Sequence, residues 1–168
     1  MLIQNFGLFW RASEIDWHPG AGNRTFRLLG RRGIQKATVE LADFRSQQGI
    51  YILYGEYGAH YVGLTKTGGL GARLKQHLSD HLEDKWDRFS WFGFRGLLKP
   101  AASTGIRPLK PLPTVSLGAP TDAIADMEAL LIKAMGPTNK QKMNFRKAKQ
   151  WLQVDEDEVD EYLGKVLR

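Results

Sequence analysis

Two tyrosines, an arginine, a histidine and a glutamate are the residues whose types and spacing could do chemistry together. Tyr51 closes the tripeptide Gly49-Ile50-Tyr51, and Tyr61, ten residues on, opens Tyr61-Val62-Gly63. Between them lies the turn-rich stretch Gly55-Glu56-Tyr57-Gly58-Ala59, so this stretch predicts a hairpin holding two phenols close together. Arg73 and His77 stand four residues apart, a spacing that puts both on one face of a helix. Arginine presents a planar fork of donors that matches phosphate oxygens, and histidine can move a proton near neutral pH. Phenol, guanidinium and imidazole together suit the cleavage of a phosphodiester.

Glu128 adds a carboxylate. At 100° per residue, Ile124, Met127, Leu131, Ile132 and Met135 fall on one arc of a helix, and Glu128 lies inside that arc. Asp126 and Lys133 mark the polar face. A carboxylate turned toward a core is costly unless it is paired, hydrogen-bonded or bound to a metal. Glu128 is therefore expected to hold a divalent ion at a cleft or to close a buried ion pair with an arginine.

The charge distribution points to a polyanionic partner. Of the 24 bases and 18 acids, two bases and six acids lie beyond residue 154, leaving 22 bases against 12 acids in the first 154 residues. A body this basic favours nucleic acid. The acids of residues 155–161 suit the start of a final helix, where the dipole favours negative charge. The chain has no cysteine, which excludes disulfides, thiolate metal sites and cysteine catalysis and fits a reducing cytoplasm. No apolar run approaches the roughly 20 residues that span a bilayer, and the N-terminus lacks the pattern of a signal peptide. The expected protein is cytoplasmic, with no membrane partner.

These side chains need elements to hold them. Residues 1–48 read as a β-rich extension, with apolar runs at Phe6–Trp10 and Phe26–Leu29 and alternation at Thr38–Leu41. The hairpin occupies 49–64. Leu70, Leu74, Leu78 and Leu82 predict a helix over 70–83. Phe89–Phe94 reads as a central strand. Residues 99–121 hold five of the seven prolines and read as a long loop. A helix from Asp122 to Met135, stopped by Gly136-Pro137, precedes a basic cluster from Lys140 to Lys149. Val159, Leu163, Val166 and Leu167 then predict an amphipathic closing helix. The expected division is 1–48, a core over 49–146 and a C-terminal helix over 147–168.

Gly49-Ile50-Tyr51 with Tyr61-Val62-Gly63 resembles the signature of the GIY-YIG nuclease superfamily. Arg73 and His77, then Glu128, then Pro137-Thr138-Asn139 follow in that superfamily's order, so the resemblance covers about residues 47–146. The spacing from Tyr61 to Arg73 is longer than usual, and Leu64 stands where a lysine is common; Lys66 is its nearest substitute. Asn144 competes with Asn139 for the late asparagine. The resemblance implies an α/β (α+β) fold, a small central antiparallel sheet flanked by helices, carrying the N-terminal β-rich extension and the C-terminal helix. It also implies a metal-dependent endonuclease that hydrolyses phosphodiester bonds in DNA. By similarity, Tyr51 takes or relays a proton from the attacking water with His77 as its sink, and Arg73 stabilises the phosphate charge. Tyr61 orients phosphate or water, Asn139 holds the cleft, and Glu128 binds one Mg²⁺ or Mn²⁺. Lys66, Lys140, Lys142 and Arg146 are the expected nucleic-acid contacts. The alternative is a catalytically inactive nucleic-acid-binding module that keeps the nuclease fold.

Overall fold

The computed structural model describes residues 2–20, 26–33, 38–65, 67–112, 120–135, 145 and 148–166. Lys66, Asn139, Lys140, Lys142, Asn144 and Arg146 lie outside the described residues.

Among the described residues the strands are β1 (Asn5–Arg11), β2 (Leu29–Arg32), β3 (Glu40–Asp43), β4 (Gly49–Gly55), β5 (Gly58–Leu64), β6 (Arg88–Gly93), β7 (Ile106–Arg107) and β8 (Lys149–Gln153). They form one sheet in the order β5-β4-β6-β1-β8-β2-β3-β7. The hairpin β4/β5 and the pairs β4/β6 and β1/β6 are antiparallel, whereas β8 runs parallel to β1 and β7 parallel to β3. Three helices accompany the sheet: α1 (Gly69–Gln76), α2 (Pro120–Met135) and α3 (Glu156–Val166). None of them is long and apolar enough to cross a membrane.

This architecture corrects the expected small antiparallel sheet flanked by helices: the sheet is eight-stranded, mixed and the dominant element of the fold. The difference turns on β8. Lys149-Gln150-Trp151-Leu152-Gln153 looks like the end of a basic cluster, yet it inserts between β1 and β2. Trp151 is fully buried, and its indole N–H donates to Asn5 Oδ1 at 3.0 Å. That one strand fuses the N-terminal strands and the hairpin into a continuous sheet.

The helix expected over 70–83 ends at Gln76. Tighter turns follow, Leu78 to Lys75 and Ser79 to Gln76, and then Asp80 Oδ1 accepts the Leu82 amide at 2.8 Å, a side-chain-to-backbone turn that competes with helix. Leu82 stays buried all the same. Inside the expected long loop, β7 pairs with β3.

Alternation along the strands divides the core between the two faces of the sheet. Tyr51, Leu53, Phe89 and Trp91 join α1's Leu70 and Leu74 on one face. Ile52, Tyr54 and Phe92 join Phe6 and α2's Ala129 and Ala134 on the other. At the far end α3 lays Val159, Tyr162 and Leu163 against Leu29, Leu41 and Ile106.

The orientation of α2 reverses the expected wheel. Met127 and Leu131 are 65% and 54% exposed, whereas Asp126, Ala129 and Ala134 are buried. Two alanines let the helix approach the aromatic face closely, so that the Tyr54 hydroxyl donates to the Ala134 carbonyl at 2.8 Å. Asp126 is satisfied by the Leu2 amide at 3.1 Å. Small residues, with Leu130 beside them, set the packed face here, and Met127 and Leu131 turn outward.

Candidate active site

The hairpin register explains why both tyrosines share a face. Tyr51 lies opposite Gly63 and Leu53 opposite Tyr61. Because side chains alternate with a period of two, Tyr61 and Gly63 both point the way Tyr51 points. Beyond Tyr61 the register slips at a bulge on the turn side, where Tyr54 faces Ala59, and the motif itself stays regular. Each glycine of the two tripeptides has a steric reason. A Cβ at Gly63 would lie 2.2 Å from Tyr51 Cζ, and one at Gly49 would lie 2.0 Å from the Phe92 carbonyl oxygen. The missing side chain at 63 is the space the Tyr51 phenol occupies.

Helix α1 brings the next two residues. Leu70 and Leu74 are buried against the Tyr51 face, which fixes the rotation of the helix. Arg73 is then half-buried on its flank, and His77 is the C-cap, its amide still bonded to the Arg73 carbonyl. His77 is fully buried, unusual for a residue that a bare Arg-x-x-x-His spacing would leave on a solvated face. Its Nε2 lies 2.7 Å from the Tyr51 hydroxyl, and its Nδ1 lies 2.7 Å from Asp80 Oδ2. The Trp86 indole N–H also donates to the His77 carbonyl at 3.3 Å.

Tyr61 completes the cluster. Its ring centroid stands 6.1 Å from that of Tyr51 and 5.2 Å from that of His77. Tyr51 is wholly buried, while Tyr61 and Arg73 are only partly so, so these two form the outer layer. Arg73 bonds Gln76 Oε1 at 2.7 Å.

The Tyr51 phenol is pushed up to about 12, chiefly by burial and then by Tyr61 beside it, against the pull of the Arg73 guanidinium. At neutral pH it keeps its proton and does not act as a free base. Asp80 is held below the ordinary carboxylate range, chiefly by the Leu82 amide; desolvation opposes this, and the bond to His77 adds to the lowering.

The structure thus brings together Tyr51, Tyr61, Arg73 and His77, and it adds Asp80, which sequence reasoning missed. The available signal was its position three residues after His77, in reach of the ring once the helix stops. The side chain of Glu128 lies outside the described residues. The helix that carries Glu128 packs on the Ile52/Tyr54 face, across the sheet from Tyr51. Among the described residues no group of three or more histidines or carboxylates is placed to hold a metal ion.

No family model, no curated protein and no solved structure matches the chain.

Proposed function

We propose that the chain is a phosphodiester hydrolase acting on nucleic acid, with DNA as the first candidate, and that the Tyr51/Tyr61/Arg73/His77 cluster is its centre. The observation that carries this reading is the buried Tyr51–His77 hydrogen bond at 2.7 Å, lying beneath a partly exposed tyrosine and arginine. Arg73 would receive a phosphate with its fork of donors, and Tyr61 would orient the phosphate or the attacking water. Tyr51, too weak an acid to serve as a base alone, would hand its proton to His77 as it takes one from the water side. General base catalysis of this kind contributes about 10²–10⁴-fold. The basic body would supply a sequence-independent grip on the backbone, and the lack of cysteine suits a cytoplasmic setting.

The resemblance also implies a divalent ion, which Glu128 would hold. The Glu128 side chain lies outside the described residues, and the proton path through Tyr51 and His77 needs only the residues of the cluster. The excess of bases in the first 154 residues also suits a second reading, a nucleic-acid-binding module without catalysis.

Purified protein incubated with plasmid, single-stranded DNA and structured RNA, in Mg²⁺, Mn²⁺ or EDTA, separates the two. Cleavage lost in Tyr51→Phe and Arg73→Lys with binding retained supports hydrolysis. Salt-sensitive binding without cleavage of any substrate rejects it in favour of the module. Glu128→Ala tests the ion separately: cleavage that needs Mg²⁺ and survives this substitution would remove Glu128 from the reaction.

A further inference from the structure

Asp80 belongs to no motif discussed above, yet it is the only described carboxylate bonded to the cluster's histidine. Its two oxygens have different duties. Oδ1 accepts the Leu82 amide at 2.8 Å, and Oδ2 faces His77 Nδ1 at 2.7 Å. A carboxylate only accepts, so the ring nitrogen facing it carries the hydrogen. In the neutral imidazole the other nitrogen then bears the free lone pair. That nitrogen is Nε2, and it points at the Tyr51 hydroxyl from 2.7 Å. The chain of bonds has one polarity: Tyr51 donates to His77, and His77 donates to Asp80.

We propose that Asp80 is a positioning residue that holds His77 in the tautomer able to take the Tyr51 proton. This rests on the hydrolase reading for its catalytic consequence and on geometry alone for the tautomer. His77 is buried and each of its ring nitrogens faces one side chain, so its partners decide which nitrogen is protonated. Trp86 and the Arg73 carbonyl bond only the backbone of His77 and leave the ring free to respond. His81, 3.9 Å from Oδ1 and mostly exposed, is the other titratable neighbour of Asp80.

The same geometry supplies a test that leaves the turn intact. In Asp80→Asn the amide oxygen can keep the Leu82 N–H, which turns the amide NH₂ toward Nδ1. A donor there forces Nδ1 to accept and moves the ring hydrogen to Nε2. Tyr51 must then accept from His77, and the direction of the whole chain reverses.

The full-length protein labelled with ¹⁵N-histidine reports this directly by long-range ¹H–¹⁵N spectra at mildly alkaline pH. The His77 signals are assigned by their loss in His77→Gln. The wild type should show a protonated Nδ1 and a bare Nε2, and Asp80→Asn should show the reverse. Cleavage should fall about 10²-fold or more in kcat with KM nearly unchanged, on the scale of a lost general base. Asp80→Glu should restore the tautomer at least in part. A wild-type ring already protonated at Nε2, or a tautomer that Asp80→Asn leaves unmoved, overturns the proposal. A reversed tautomer with kcat unchanged overturns its catalytic half. If the wild type cleaves no substrate, the hydrolase reading falls with that half, while the tautomer spectra still uphold or reject the hold of Asp80 on the ring.

Discussion

Gly63→Ala tests whether the Tyr51 phenol really fills the space left by the missing side chain. The added Cβ would lie 2.2 Å from Cζ and 2.3 Å from the hydroxyl oxygen of Tyr51, and ordinary contact begins at 3.4 Å. Ring and strand must therefore part by 3.4 − 2.2, or 1.2 Å. Neither can do so freely. Tyr51 is wholly buried and bonded to His77, and β5 is held to β4 along its whole length. Overpacking of a tight core costs about 1–3 kcal/mol. Loosening a hydrogen bond between two buried groups adds about 1 kcal/mol. The expected loss is then about 2–4 kcal/mol in urea unfolding, with the m-value unchanged. Gly20→Ala is the control, since a Cβ there meets nothing within 4 Å, and it should stay within about 0.5 kcal/mol of wild type. A Gly63→Ala protein as stable as the control would refute the packing described here and the steric reading of the Tyr-x-Gly spacing with it.

Three further outcomes follow from the same coordinates. The Tyr51 phenol sits at about 12 in the folded protein against an ordinary 10.0, so its contribution is fully present below pH 10 and is lost as pH rises toward 12. On the order of 2–3 kcal/mol should disappear over that window, and urea unfolding of Tyr51→Phe should lack this part of the alkaline loss. The packed face of α2 predicts that Ala129→Leu, at a site 1% exposed, costs about 1–3 kcal/mol by overpacking. Leu131→Lys on the outward face should cost less than about 0.5 kcal/mol, and the opposite ranking would restore the wheel drawn from the sequence. Trp151→Ala should cost about 3–5 kcal/mol in a single transition spanning the whole chain, because β8 joins the two halves of the sheet; separate unfolding of the N-terminal strands in the wild type would contradict that.

The local parts of this fold were legible because they rest on short-range rules. The hairpin, the central β6 and the start of α1 follow from period, turn residues and a leucine stripe. The parts that failed depend on partners distant in sequence. Trp151 reads as a lone aromatic at the end of a basic run until β1 and β2 close around β8. The alanines of α2 carry little hydropathic weight, yet close approach to an aromatic sheet face favours them over Met127 and Leu131. Asp80 went unnoticed for a related reason: a helix continued to residue 83 leaves no turn to aim its carboxylate at His77. Of the candidate site, the tyrosines, Arg73 and His77 come together as their spacing suggested, whereas Met127 and Leu131, two residues of the expected apolar arc of α2, face outward.

What the cluster costs bears on what it is for. Tyr51 and His77 occupy a position walled by Leu53, Leu70, Leu74 and Trp91, where phenylalanine and leucine would pack without any polar atom to satisfy. A buried hydrogen-bonded chain gives little net stability over a well-packed apolar replacement, and it becomes a liability as soon as one member is lost. Packing alone therefore does not account for three polar groups in a row running from the core to Asp80 at its edge. Their single direction, phenol to imidazole to carboxylate, matches what moving a proton inward from Tyr61 and Arg73 requires. Tyr51→Phe separates the two demands. If the chain serves stability, removing the hydroxyl leaves His77 with a bare buried acceptor and should cost about 1–3 kcal/mol. If it serves chemistry, the stability loss should stay near the low end of that range, with cleavage falling about 10²-fold or more.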